Sequence, residues 1–124
     1  MAGFQPVVMS DGQLEQVGDR RTEVLRLNIG PAVSIFVTTT TFTITRSCHR
    51  VFNNTGSNIT VTDILGGTEG DMLFLFSGGS ANRVKLQNSS ANFDLDGDFD
   101  ILNARNIVLY RTSTLWEEVT RTMK

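Results

Sequence analysis

The densest run of groups able to do chemistry is Asp94-Leu95-Asp96-Gly97-Asp98-Phe99-Asp100. Alternating carboxylates around a glycine suggest a calcium loop, because calcium takes roughly six to eight oxygen ligands. The EF-hand spacing is not met. Counted from Asp94, the glycine arrives too early and the twelfth position holds Arg105 instead of a glutamate. On a strand the same run has a simpler meaning: Asp94, Asp96, Asp98 and Asp100 face solvent, while Phe93, Leu95, Phe99 and Ile101 face a core. This second reading is preferred, and no metal or cofactor is assigned.

Other reactive groups fail on geometry. Cys48 and His49 are neighbours, so on a strand they point to opposite faces and cannot form a nucleophile–base pair. With one cysteine and one histidine in the chain, neither a zinc site nor a Ser-His-Asp arrangement can be drawn. His49, beside Arg50, is expected at the surface or in an interface. Glu117 and Glu118 are separated by the same strand alternation. A glycosidase pair could be drawn from Asp63, Glu69 or the 94–100 run, and nothing singles one out. Asn53-Asn54-Thr55, Asn58-Ile59-Thr60 and Asn88-Ser89-Ser90 match the glycosylation sequon but read as turn and strand chemistry. Gly66-Gly67 and Gly78-Gly79 lack the strand–loop–helix context of a phosphate loop and read as turns. The expectation is a protein without catalytic residues.

These residues need a scaffold, and the alternation of apolar and polar residues supplies it. Leu25, Leu27 and Ile29 alternate with Arg26 and Asn28, and Gly30-Pro31 ends that run. Val33, Ile35 and Val37 follow. Beyond Thr38-Thr39-Thr40-Thr41 the apolar positions shift to Phe42 and Ile44, and such a parity change predicts a bulge or kink near Thr39–Thr41. Cys48–Phe52, Ile59–Val61, Val84–Leu86, Ile107–Tyr110 and Leu115–Thr120 read as further strands. Met72–Phe76 is apolar at every position and is expected to be the most central one. Phe93 to Ile101 reads as a hairpin or tight corner around Asp96-Gly97-Asp98. Turn residues recur about every 8–12 residues, as in a sandwich, barrel or prism. The expected fold is all-β: a compact antiparallel sandwich, prism or jelly-roll-like domain over residues 23–124, with an extended N-terminal arm over residues 1–22.

Composition bounds the function. A chain of 124 residues with 40% hydrophobic and 19% charged residues suits one globular domain. A net charge of −2 argues against binding nucleic acid through phosphate neutralisation. One cysteine rules out an internal disulfide framework. The longest apolar stretch, Met72–Phe76, is far shorter than the roughly 20 residues of a membrane-spanning helix, and no secretion leader is read. The arm carries Phe4, Val7, Val8 and Leu14 among polar residues. These four are the candidate partner-binding positions, although a frayed end packed on its own domain explains them equally well.

From Asn58 to Arg121 the order of features resembles a small β module of phage virion proteins. It is found toward the C-termini of tail fibres and tailspikes, and the match covers about half of the chain. The resemblance rests on Gly70-Asp71 ahead of an apolar strand, on Phe93-x-Leu95-x-Gly97-x-Phe99, and on Trp116-x-Glu118-x-x-Arg121. The family strand before the tryptophan usually leads into an Asp-Gly or Asn-Gly turn, whereas Arg111-Thr112-Ser113-Thr114 stands here. Gly12-Gln13-Leu14-Glu15-Gln16-Val17-Gly18-Asp19 is also similar to a link seen in phage fibre and decoration proteins. The resemblance implies a virion protein, commonly a homotrimer, assembled in the host cytoplasm. A fibre has a long shaft, for which 124 residues leave little room. The expectation is therefore a capsid decoration protein bound to the major capsid protein on the outer head surface. A tail fibre or baseplate accessory protein that binds a host receptor or surface glycan is the alternative.

Overall fold

The computed structural model describes residues 28–89 and 91–122. Eleven strands make up its regular structure: β1 Val33–Phe36, β2 Thr41–Thr43, β3 Cys48–Phe52, β4 Ile59–Val61, β5 Asp63–Leu65, β6 Met72–Ser77, β7 Val84–Leu86, β8 Phe93–Asp94, β9 Phe99–Ile101, β10 Ile107–Arg111 and β11 Trp116–Arg121. No helix occurs among the described residues. The arm, with Phe4, Val7, Val8 and Leu14, lies outside them, as does most of the Leu25–Ile29 run.

The all-β expectation holds, but the strand sense differs from the antiparallel one. A six-stranded sheet runs β1-β3-β6-β10-β11-β8, a three-stranded sheet runs β4-β7-β9, and β2 pairs with β5. The pairs β1–β3, β3–β6, β2–β5, β4–β7 and β8–β11 are all parallel. Among the described strands, only β6–β10, β10–β11 and β7–β9 are antiparallel. The chain therefore winds past itself in a solenoid-like stack, and two antiparallel strands, β10 and β11, extend the main sheet beyond the last circuit. The reason lies in the turns. Two-residue hairpin loops fold a chain back antiparallel. Here the breaks at Thr38–Thr40, Asn53–Asn58 and Gly78–Arg83 are longer, and they turn the chain onto a different sheet.

That geometry explains the shift of apolar parity after Val37. Val37 is buried, the chain bends at Thr39-Thr40, and β2 restarts on another sheet with Phe42 buried. The kink is a corner between sheets. The stretch from Phe93 to Ile101 is likewise a corner and not a hairpin: β8 joins the six-stranded sheet and β9 the three-stranded one. Gly97 turns it at a φ of 86°. Met72–Phe76 lies inside β6, which is paired on both edges as expected.

One core serves all three sheets. Val51, Leu73, Leu75, Ile107, Leu109, Phe93 and Trp116 come from the main sheet, Val61, Val84, Leu86, Phe99 and Ile101 from the second, and Phe42 and Ile64 from the β2–β5 pair. The turn from β10 to β11 needs no glycine. The Thr112 hydroxyl donates to the Leu115 carbonyl at 3.0 Å and accepts from the Leu115 amide at 3.1 Å. A threonine side chain thereby does the work of the Asp-Gly or Asn-Gly turn.

Candidate functional site

Two of the three motifs that carry the resemblance meet at one corner of the molecule. Trp116 is fully buried, and its indole N–H donates to the Ile64 carbonyl at 3.1 Å, which ties β11 to β5. Gly67 lies so close to the six-membered ring of Trp116 that any side chain there would collide with it. Arg111 stacks over the same indole, 5.8 Å from its centre.

Beyond Trp116 the strand carries Glu118 and Arg121, three residues apart. On a regular strand such residues point to opposite faces. Here β11 bulges: Leu109 pairs with Glu118 and Val108 with Thr120, so Val119 is the extra residue. The bulge reverses the alternation and brings Glu118 and Arg121 to one side. Arg121 grips the carboxylate with Nε and Nη2, both at 2.7 Å. Its Nη2 also donates to the Gly97 carbonyl at 2.9 Å, and its guanidinium lies 5.0 Å over the Phe99 ring. The Asp96 amide donates to Glu118 at 2.9 Å. The Phe93-x-Leu95-x-Gly97-x-Phe99 corner is thus clamped by Trp116-x-Glu118-x-x-Arg121.

The clamp sets the electrostatics. The hydrogen bonds from Arg121 hold the Glu118 carboxyl below the usual carboxylate range, against the opposing effect of burial. Glu118 is therefore a committed anion and not a poised acid. Glu117 points the other way and is exposed, as strand alternation requires. A shallow groove lined by Asp94, Leu95, Asp96, Glu117, Glu118 and Val119 runs beside the clamp. Asp94, Asp96 and Asp98 are exposed, as expected. Asp100 is half-buried, with one carboxylate oxygen lacking a partner and the other 3.8 Å from Arg83. Among the described residues, no three His, Cys, Asp or Glu side chains are grouped to hold a metal ion.

The remaining candidates are scattered. Asp63 caps its own strand, its carboxylate accepting from the Ile64 amide at 2.8 Å, and Glu69 is exposed in a turn. A cleft of about 240 Å³ is lined by Ile44, Thr45, Arg46, Ser47, Gly66, Asp71 and Met72. Its Asp71 carboxylate is already used by the Thr68 amide and hydroxyl.

His49 is not at the surface. It is fully buried. Its Nε2 accepts from the amides of Thr45 and Arg46 at 3.2 and 3.3 Å, so Nδ1 carries the proton and donates to the Val33 carbonyl at 3.0 Å. The ring closes the turn before β3 and ties it to β1. Burial pushes the Cys48 thiol up, which disfavours the nucleophilic thiolate. Asn53, read only as a turn residue, is a buried hub. Its amide nitrogen donates to the carbonyls of Ser57 and Arg83, and its oxygen accepts from the amide and hydroxyl of Thr55. Such burial also excludes Asn53 as a glycosylation acceptor. Using every donor and acceptor in this way offsets the cost of burying the amide. Its place next to a second asparagine gave no sign of that.

Neither a protein-family model, nor a curated protein, nor a solved structure matches this chain.

Proposed function

We propose that this chain is a non-enzymatic structural protein of a phage virion, a capsid decoration protein that binds the outer head surface as a homotrimer and stabilises it. The observation that carries the reading is the engagement of two of the three resemblance motifs with each other. Glu118 and Arg121 reach the Asp96 amide and the Gly97 carbonyl. The polar residues of these two motifs are thereby spent on holding a corner closed. Residues committed to architecture are not available for chemistry, which supports a structural role for the module. Binding to the head stabilises the shell by mass action, because the protein favours only the assembled lattice.

One feature favours a second reading, a tail fibre or baseplate accessory protein. The parallel stack carries antiparallel strands at its C-terminal side and presents β1 at the other end. A terminal cap on a longer parallel shaft would have this polarity.

Copy number in purified particles separates the two. A decoration protein is expected in hundreds of copies, and its loss lowers the resistance of heads to heat or osmotic shock. A receptor binder is expected in a handful of copies, and its soluble form blocks adsorption to host cells. For the arm, a protein lacking residues 1–21 should lose occupancy on heads. Full occupancy by the truncated form would end the role assigned to Phe4, Val7, Val8 and Leu14.

A further inference from the structure

The six-stranded sheet has two faces, and only one belongs to the core. Leu73, Leu75, Val51, Ile107 and Leu109 point inward. Alternation and register assign the other face. Met72, Phe74 and Phe76 come from β6, Phe76 stands opposite Arg50, and Phe36 stands opposite Phe52. Val108 pairs with Phe74, Tyr110 with Met72, and Glu117 with Tyr110. Asp94 then pairs with Glu117 on the last strand. This second face is therefore aromatic and aliphatic across its centre, and none of its apolar side chains belongs to the core cluster. Phe36 is 57% exposed and Met72 37%.

Its two sides carry opposite charge. On β3, Arg50 is exposed. One guanidinium nitrogen donates to the Ser77 carbonyl at 3.1 Å and the group lies 5.5 Å from the Phe76 ring, which leaves further N–H donors free to turn outward. On the far side, Asp94 and Glu117 are cross-strand neighbours, both exposed. Like charges placed directly opposite repel, and the ion pairs of Arg83 and Arg121 go to Asp100 and Glu118 instead. Arg50 cannot relieve them within the same chain. Three inter-strand steps separate β3 from β11, about 14 Å of sheet, which is more than an arginine side chain spans.

We propose that this outer face is a self-association surface, on which Arg50 of one copy meets the Asp94–Glu117 pair of the next. The inference deepens the trimeric reading above and rests on it only for stoichiometry, because unlike sides meet in any closed ring of copies. The face measures about 24 by 16 Å, a footprint of roughly 400 Å² before side-chain relief is counted. That is the size of the largest apolar patches soluble monomers leave open, which are often functional. It is about half of the roughly 800 Å² per partner of a standard interface, so the association is a weak one. The association is accordingly concentration-dependent and weakened by salt, since its charged rim is screened.

Sedimentation velocity over a concentration series tests this with the whole chain. A species of two or more copies is expected, shifting toward monomer as salt is raised. Arg50→Glu and Glu117→Arg should each weaken association by roughly tenfold or more, and the double variant R50E/E117R should recover most of the loss. Unchanged thermal unfolding shows that each variant is folded; if R50E is not, E117R and the salt series decide alone. A wild-type protein that stays monomeric at its highest soluble concentration overturns the proposal. So do single reversals that leave association unchanged, or a double variant no better than the singles. A monomeric protein would also remove the trimer from the proposed function, whereas occupancy of phage heads is measured separately, so the two failures are distinguishable.

Discussion

Two aromatic regions at opposite ends of the six-stranded sheet show what fixes a side chain in this fold. At the C-terminal corner Trp116 is enclosed: Gly67 lies against its ring, Ile64 accepts its N–H, and Arg111 stacks on it. At the other end Phe36 stacks on Phe52 at a centroid distance of 5.1 Å, yet more than half of Phe36 is exposed. Both are large aromatics on short strands. They differ in whether polar groups close over the ring, and so in how much of the structure depends on it. The corner is a locked joint and the edge an open surface.

Breaking the joint should give the largest effect. Trp116→Ala removes a fully buried indole and leaves the Ile64 carbonyl without its donor, so a loss of about 3–5 kcal/mol is expected in denaturant unfolding. Next comes Gly67→Ala, whose added methyl group must displace a ring that has nowhere to go. Overpacking of this kind costs about 1–3 kcal/mol. A Gly67→Ala variant as stable as the parent would mean that the corner is looser than its contacts indicate.

The clamp sharpens the contrast through pH. Glu118 titrates lower in the folded protein than in the unfolded chain, so the unfolded state takes up its proton first as acid is added. Its stabilising contribution is complete above the ordinary glutamate value of about 4.3 and is lost as pH falls through the lower folded value. Glu118→Gln should therefore cost about 1–2 kcal/mol near neutrality, where Arg121 loses its ionic partner. The difference from the parent should shrink as acid is added. A deficit independent of pH would mean that the clamp is not ionic.

How much of this was legible varied with the kind of interaction. Strands were readable because period-two alternation is local, and Val84–Leu86, Ile107–Tyr110 and Met72–Phe76 appear where alternation or apolar content predicts them. Strand sense was not. Turn residues such as Gly78-Gly79 announce a change of direction without saying whether the next strand returns beside the last or starts a different sheet. The Glu118–Arg121 pair was hidden by the same rule that exposed the strands. Alternation puts the two on opposite faces, and only the bulge at Val119 reunites them. Their spacing after Trp116 was visible as a motif, but its meaning depended on one unpaired residue. His49 and Asn53 look like surface polar groups by type. Their burial is made tolerable by backbone partners that no pattern of side chains reveals.

The smallest effect belongs to the open edge, and it tests the comparison most directly. Phe36→Ser, measured at a concentration low enough to keep the chain monomeric, removes one ring of a stacked pair and little enclosed surface. Aromatic stacking adds roughly 0.5–1.5 kcal/mol where burial is good, and at a side chain this exposed the lower end applies. Phe52 would keep its place, because its ring lies against Gly78, where an added Cβ would stand 2.6 Å from it. A change in unfolding midpoint as large as that of Trp116→Ala would abolish the distinction between joint and edge. It would mean that Phe36 is enclosed in solution by something beyond the described residues. A change near zero leaves the ring free to serve an intermolecular contact, where its loss should register in association and not in folding.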